Sequence, residues 1–124
     1  MPLYNTATAA AALDASHKWL DNILSHNDID GVQSDTQGVS RRLSLASIIL
    51  LSLAKELGET LEINSAAAIR LATRISASQS GDISISPRLR LLVDLDGIRA
   101  DILADLERAV EIAPTPRRGR PPKR

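Results

Sequence analysis

The sequence predicts a mainly α fold: a small bundle of about four helices, with at most a minimal two-stranded ribbon, and a disordered basic C-terminal arm. Three observations carry this. Leu, Ile and Ala recur at three- and four-residue spacing over successive segments, which is the helical period. Aromatic residues make up 2% of the chain and cysteine is absent, so the core has to be aliphatic and no disulfide frames it. The 124 residues, 44% apolar and 24% charged, suit one domain of ordinary globular composition.

The first helix is expected from about Thr8 to His26. It is Ala-rich at its start, and Leu13, His17, Leu20 and Leu24 then form a stripe beside Trp19 and Ile23. In that stripe His17 reads as a partly buried packing residue rather than a ligand. Residues 27–39, rich in Asp, Asn, Gly and Gln, read as a polar loop near the upper length for an ordered connection. A second helix is expected from about Ser40 to Leu57, with Gly58 as its stop. Its stripe of Leu43, Ala46, Leu50, Leu53, Ala54 and Leu57 is joined by Leu45, Ile48, Ile49 and Leu51 around most of the circumference. A helix apolar nearly all round is buried, as the centre of the fold or partly against a second copy of the chain.

Asn64 or Ser65 caps a third helix containing Ala66–Ala68, Ile69, Leu71, Ala72 and Ile75, closed near Gly81. Thr60–Ile63 and Asp82–Ile85, which alternate apolar and polar residues, are the two candidates for the ribbon. Ser86-Pro87 reads as the start of a fourth helix running to about Glu111, with Leu91, Leu95, Ile98, Ile102, Leu106 and Ala109 on its core face. Pro114 and Pro116 end it and open the arm.

The formal net charge of zero conceals a segregation. Residues 1–113 carry ten basic and fifteen acidic side chains, a balance of −5, whereas residues 114–124 carry five basic side chains and no acid. The division expected is an acidic helical oligomerisation domain over 1–113 and a basic arm over 114–124. An acidic body repels polyanions and a basic arm attracts them, so nucleic-acid contact is assigned to the arm. No signal-like or membrane-spanning run is visible; the longest uncharged apolar stretch, between Arg42 and Lys55, is broken by three serines. A cytoplasmic protein without membrane contact, nucleoid-associated if bacterial, is the expectation.

Catalysis finds no motif. No phosphate-cradling glycine loop, HExxH or GxSxG is present. Asp28, Asp30 and Asp35 lack the Glu that a calcium loop needs, since Val39 stands there. Two histidines and no cysteine supply few metal ligands. The expectation is no enzyme, no cofactor and no metal.

The arm carries the sharpest signal. Pro116-Arg117-Arg118-Gly119-Arg120-Pro121-Pro122-Lys123-Arg124 contains an Arg-Gly-Arg-Pro core. Gly119, without a Cβ, lets the backbone settle on the floor of a narrow groove. Arg118 and Arg120 then run in opposite directions along it, where narrow A-tract grooves deepen the negative potential. Pro121 holds the exit extended, and Arg117, Lys123 and Arg124 reach flanking phosphates. The segment resembles the AT-hook family of minor-groove peptides. That resemblance implies binding to AT-rich double-stranded DNA by an arm that orders on contact, in a regulator or DNA-organising factor. One hook is weak, so a homo-oligomer is expected to supply copies, through the helix at 40–57.

Two alternatives rest on other residues. The segments at 49–58 and 64–75 are arranged like a helix-turn-helix with Arg70 and Arg74 facing the groove, although the connection from Gly58 to Asn64 is long for that motif. A helical adaptor or scaffold, such as a phage-type DNA-packaging subunit, would instead use the basic tail to hold an unidentified protein partner.

Overall fold

The structure is a computed structural model that describes residues 2–33 and 41–112. The arm at 114–124, with every hook residue, lies outside the described residues, as does the 34–40 part of the polar loop. Among the described residues the fold is mainly α, as the sequence predicts, with five helices and two small sheets. Strand β1 (Leu3–Asn5) leads into α1 (Thr6–Leu13) and α2 (His17–His26). Next come β2 (Val32–Gln33), β3 (Arg42–Ser44), α3 (Leu45–Leu61) and α4 (Ser65–Ser78). Strands β4 (Asp82–Ser86) and β5 (Leu89–Leu92) and helix α5 (Leu95–Ile112) complete the order. Strands β1 and β2 flank β3, both antiparallel to it, and β4 pairs with β5.

The helix expected at Thr8–His26 is two helices. Asp14 takes the left-handed conformation at φ 54°, its N–H reaches the Ala11 carbonyl, and the Ala15 N–H reaches Ala10 at 3.0 Å. This is the double bond of a Schellman stop, built here without glycine. Ser16 then caps α2, its Oγ accepting from the Trp19 N–H at 3.0 Å. A terminating residue and a cap two positions apart override an apolar spacing that would have run through them.

Helix α3 continues through Gly58 and stops at Glu62, which is left-handed at φ 56°. Gly58 is held in the helix by the packing of α3 on α4, which leaves room there for a methyl group. A Cβ there would lie 3.5 Å from the Ile63 carbonyl and 3.8 Å from Ala68 Cβ, ordinary van der Waals distances. Gly58→Ala is therefore expected to stabilise the fold by about 0.5–1 kcal/mol through helix propensity alone. Denaturant unfolding reads this directly, and a loss of stability would mean that the two helices cannot yield at all. The ribbon pairing expected between 60–63 and 82–85 is replaced accordingly. Thr60 and Leu61 end α3, and Asp82–Ser86 pairs instead with Leu89–Leu92.

Ser86-Pro87 is consequently a hairpin turn, not a helix start. The alternating Asp82–Ile85 segment needs a strand partner, and Leu89–Leu92 supplies it before any helix begins. Asp94 caps α5 in its place, Oδ1 accepting from the Gly97 N–H at 2.9 Å. Asn64 caps α4 as predicted, Oδ1 accepting from Ala67 at 2.8 Å.

The core is aliphatic. Leu20, Leu43, Ile48, Leu51, Ala72 and Ile75 are fully enclosed, and Ala9 and Ala10 let α1 approach its neighbours closely. The chain itself buries Ile48, Leu51, Leu53, Ala54 and Leu57 of α3 and leaves Leu45, Ile49 and Leu50 half-buried. From the far side, α5 closes the bundle with Ile102, Leu106 and Ala109.

Candidate nucleic-acid interface

Helices α1 and α2 form a short helix-turn-helix unit whose turn is Asp14-Ala15-Ser16, the length that motif requires. Helix α1 is anchored by buried Ala9, Ala10, Ala12 and Leu13. Helix α2 is anchored by Leu20, Ile23 and Leu24, one stripe of an amphipathic helix. The opposite face presents His17, Lys18, Asp21, Asn22, Ser25 and His26, all exposed. His17 thus belongs to the polar face and not to the packing stripe expected for it. The first turn of α2 starts where Ser16 ends the turn, so Lys18 projects from that first turn and Asn22 from one turn further along the helix.

A strand pair stands beside this helix. Gly31, at φ 89°, turns the chain into β2, and its carbonyl accepts from the Ser44 N–H at 2.9 Å at the far end of β3. Only glycine fits there, because a Cβ would collide with Ser44 Oγ, the cap of α3. Arg41, just ahead of β3, reaches back across α2. Its Nη1 lies 3.5 Å from Asp21 Oδ1, and its Nη2 donates to Ser25 Oγ at 3.3 Å. That contact joins strand and helix into one surface, with Arg42 exposed alongside. The α2 surface therefore carries Lys18, Arg41 and Arg42 against Asp21, with exposed Asp28 and Asp30 following in the connection. Its long-range field is weak, and its chemistry is that of hydrogen-bonding side chains rather than of a cation patch.

The spacing of α3 and α4 also changes from the expectation. Because α3 extends to Leu61, only Glu62, Ile63 and Asn64 separate the two helices, a turn of helix-turn-helix length. Arg70 and Arg74 are both exposed one turn apart on α4, and Arg74 Nη2 donates to the Ser84 carbonyl of β4 at 3.1 Å. The hook residues Arg117, Arg118, Gly119, Arg120, Pro121, Lys123 and Arg124 lie outside the described residues.

Elsewhere, a groove of about 390 Å³ runs between α3, β5 and α5, walled by Leu53, Leu57, Leu61, Leu92 and Ile98 with Glu56 and Asp101 at its edge. Among the described residues no three His, Asp or Glu side chains gather as a metal site, and no helix is long and apolar enough to cross a membrane.

Sequence alone does not signal the α2 face, because the Asp14-Ala15-Ser16 turn contains neither Gly nor Pro. The signal available was Ser16, a good cap placed before a Leu20–Ile23–Leu24 stripe, followed downstream by the Arg41-Arg42 pair. No protein-family model and no curated protein matches this chain.

Proposed function

We propose that the protein binds double-stranded DNA with two elements: α2 in the major groove, and the C-terminal Arg-Gly-Arg-Pro arm in an adjacent AT-rich minor groove. The observation that supports it is the three-residue turn setting α2 against α1 with its apolar stripe buried and six polar side chains outward. This is the arrangement in which a second helix reads base edges while the first braces it. Asn22 offers the paired donor and acceptor that suit adenine, and Lys18 suits guanine. Arg41 and Arg42 stand at the flank, where phosphates run. The arm supplies the attraction that the acidic body lacks, and covalent linkage of two weak contacts raises affinity without requiring a second copy. A homo-oligomer would add to this by the same arithmetic. The role is regulation or organisation of DNA, with no chemical step.

The test is selection of preferred duplexes by the full chain, followed by titration of Asn22→Ala on the selected site and on point variants of it. Loss of about 1–3 kcal/mol on the preferred site, with discrimination relaxed at one base pair, is the expected outcome. Selection that returns no sequence beyond AT content would remove α2 from the reading and leave the arm alone. The adaptor alternative draws on the groove beneath Leu61 and Leu92, since Leu92 is 81% and Leu61 45% exposed. A full chain that binds no duplex at moderate salt would favour it.

A further inference from the structure

We propose that the α3–α4–β4–β5 half of the chain is a second DNA contact, gripping the phosphate backbone of the same duplex with Arg70 and Arg88 while Arg74 positions the hairpin. This rests on the DNA-binding reading of α2 and extends it along α4, whose first turn, at Ser65 and Ala66, lines one pocket with Asn22 and His26 of α2.

An internal repeat in the architecture supports it. Asp14-Ala15-Ser16 and Glu62-Ile63-Asn64 share a conformation and a manner of capping, with the double bond to Ala10 and Ala11 belonging to the first. Each begins with a left-handed residue, continues with a half-buried apolar one and ends in a cap whose side chain accepts from the third N–H of the next helix. Counted from the caps, Ala68 and Ala72 of α4 occupy the buried positions of Leu20 and Leu24 in α2. Past the second helix the correspondence continues. Gly31 and Gly81, at φ 89° and 77°, each open a strand, and each carbonyl closes the strand pair by accepting a bond from its far end, Ser44 in one case and Val93 in the other. A helix capped at Ser44 or Asp94 then follows. The described residues thus form two helix-turn-helix–strand-pair units in series, with α3 closing the first and opening the second and β1 adding a third strand to the first pair alone.

In the second unit the outward positions change character. Arg70 stands where Asn22 stands, Thr73 where Ser25 stands and Arg74 where His26 stands, all of them exposed. As Arg41 ties the first strand pair to α2, Arg74 ties β4 to α4 through the Ser84 carbonyl. Arg88, at the exposed tip of the β4–β5 hairpin, extends the line of positive charge. Arg90 is matched by Asp82 at 2.7 Å and adds nothing net. The acids on the α3 side of the turn are Glu56, at the edge of the groove that Leu92 walls, Glu59, paired with Lys55, and Glu62. Where the first unit displays an amide, a hydroxyl and imidazoles, the second displays guanidinium groups among Ala66, Ala67 and Ala77. Guanidinium groups without neighbouring acceptors position a protein on phosphates, whereas mixed donors and acceptors discriminate bases.

The experiment is a salt titration of the full chain and of Arg70→Ala/Arg88→Ala on one long duplex carrying the selected site, with hydroxyl-radical footprinting at low salt. Neither side chain holds a hydrogen bond or ion pair among the described residues, so the melting temperature should be kept. Two lost phosphate contacts should flatten the slope of log affinity against log salt by about 1.8 and cost about 60-fold at 0.1 M. The footprint should shorten on one side, with AT- and GC-rich flanks affected alike. Arg70→Lys/Arg88→Lys should restore the slope, since a point charge serves a phosphate. An unchanged slope and footprint, or a loss that lysine does not restore, overturns this second contact and leaves α2 untouched. A wild-type chain that binds no duplex overturns the DNA-binding reading itself.

Discussion

A chain ending at Ala113 should bind AT-rich duplex far more weakly than the full protein, by up to about four orders of magnitude at 0.1 M salt. The magnitude comes from counterion release. Five cations leave with residues 114–124, and each neutralised phosphate contributes about 0.9 to the salt slope, so the slope should fall by about 4–5. The remaining body carries −5 and repels the duplex, which works in the same direction. Circular dichroism should hardly move, because the helices are capped and packed upstream of Ala113. A truncated chain that binds as tightly as the full protein would remove the arm from the reading and leave α2 to act alone. Arg118→Lys and Gly119→Ala then separate groove insertion from simple attraction, since both keep the charge of the arm. Lysine cannot reproduce the planar guanidinium in a narrow groove, and a Cβ at Gly119 lifts the backbone off its floor. Each should cost about 1–3 kcal/mol on AT-rich duplex and little on GC-rich duplex. Equal losses on both would make the arm a generic cation.

In the proposed reading the arm and the body divide the work by chemistry. The arm carries unopposed positive charge and can drive association. The α2 face carries Asn22, Ser25 and the two histidines beside an Arg41–Asp21 pair, which favours discrimination over attraction. A surface of this kind binds weakly alone, so its affinity depends on what holds it near the duplex.

The parts of this arrangement that sequence reveals are those signalled by a residue with one dominant use. Asn64 as a cap and the aliphatic length of α3 are of that kind. The failures share a cause. Gly58 reads as a stop and Ser86-Pro87 as a start because both are strong local signals, yet packing on α4 keeps Gly58 helical and strand pairing keeps Pro87 in a turn. Conversely, Asp14 and Glu62 stop their helices in the left-handed conformation that glycine normally fills. Without glycine the stop is invisible in sequence, and with it the helix-turn-helix at α1–α2. The repeat is hidden for a related reason. Leu20 and Leu24 of one unit are Ala68 and Ala72 of the other, so turns and caps are repeated where side-chain volumes are not.

Leu20→Ala should produce the largest loss of stability among substitutions on α2, about 2–5 kcal/mol. Leu20 is fully enclosed at the start of α2, where its N–H makes a helical bond to the Ser16 carbonyl at 3.1 Å. Removing three buried carbons there leaves a cavity between α2 and the core, and α2 has Ile23, Leu24 and the half-buried Trp19 besides to hold it. Against a total stability of about 5–15 kcal/mol for a domain of ordinary size, a loss at the upper end populates the unfolded chain. Asn22→Ala, on the opposite face, should stay within about 0.5 kcal/mol of the parent. The pair therefore separates anchoring from reading: Leu20→Ala lowers the melting temperature, and Asn22→Ala lowers discrimination. Adding duplex at about 100 times the dissociation constant should restore less than about 2.7 kcal/mol to Leu20→Ala, because the arm holds duplex in the unfolded chain as well and only the α2 contact requires the folded form. Thermal melts with and without duplex read both quantities. A Leu20→Ala protein as stable as the parent would mean that α2 is not held by its apolar stripe, and a helix so loosely held could not present Lys18 and Asn22 in fixed register to a groove.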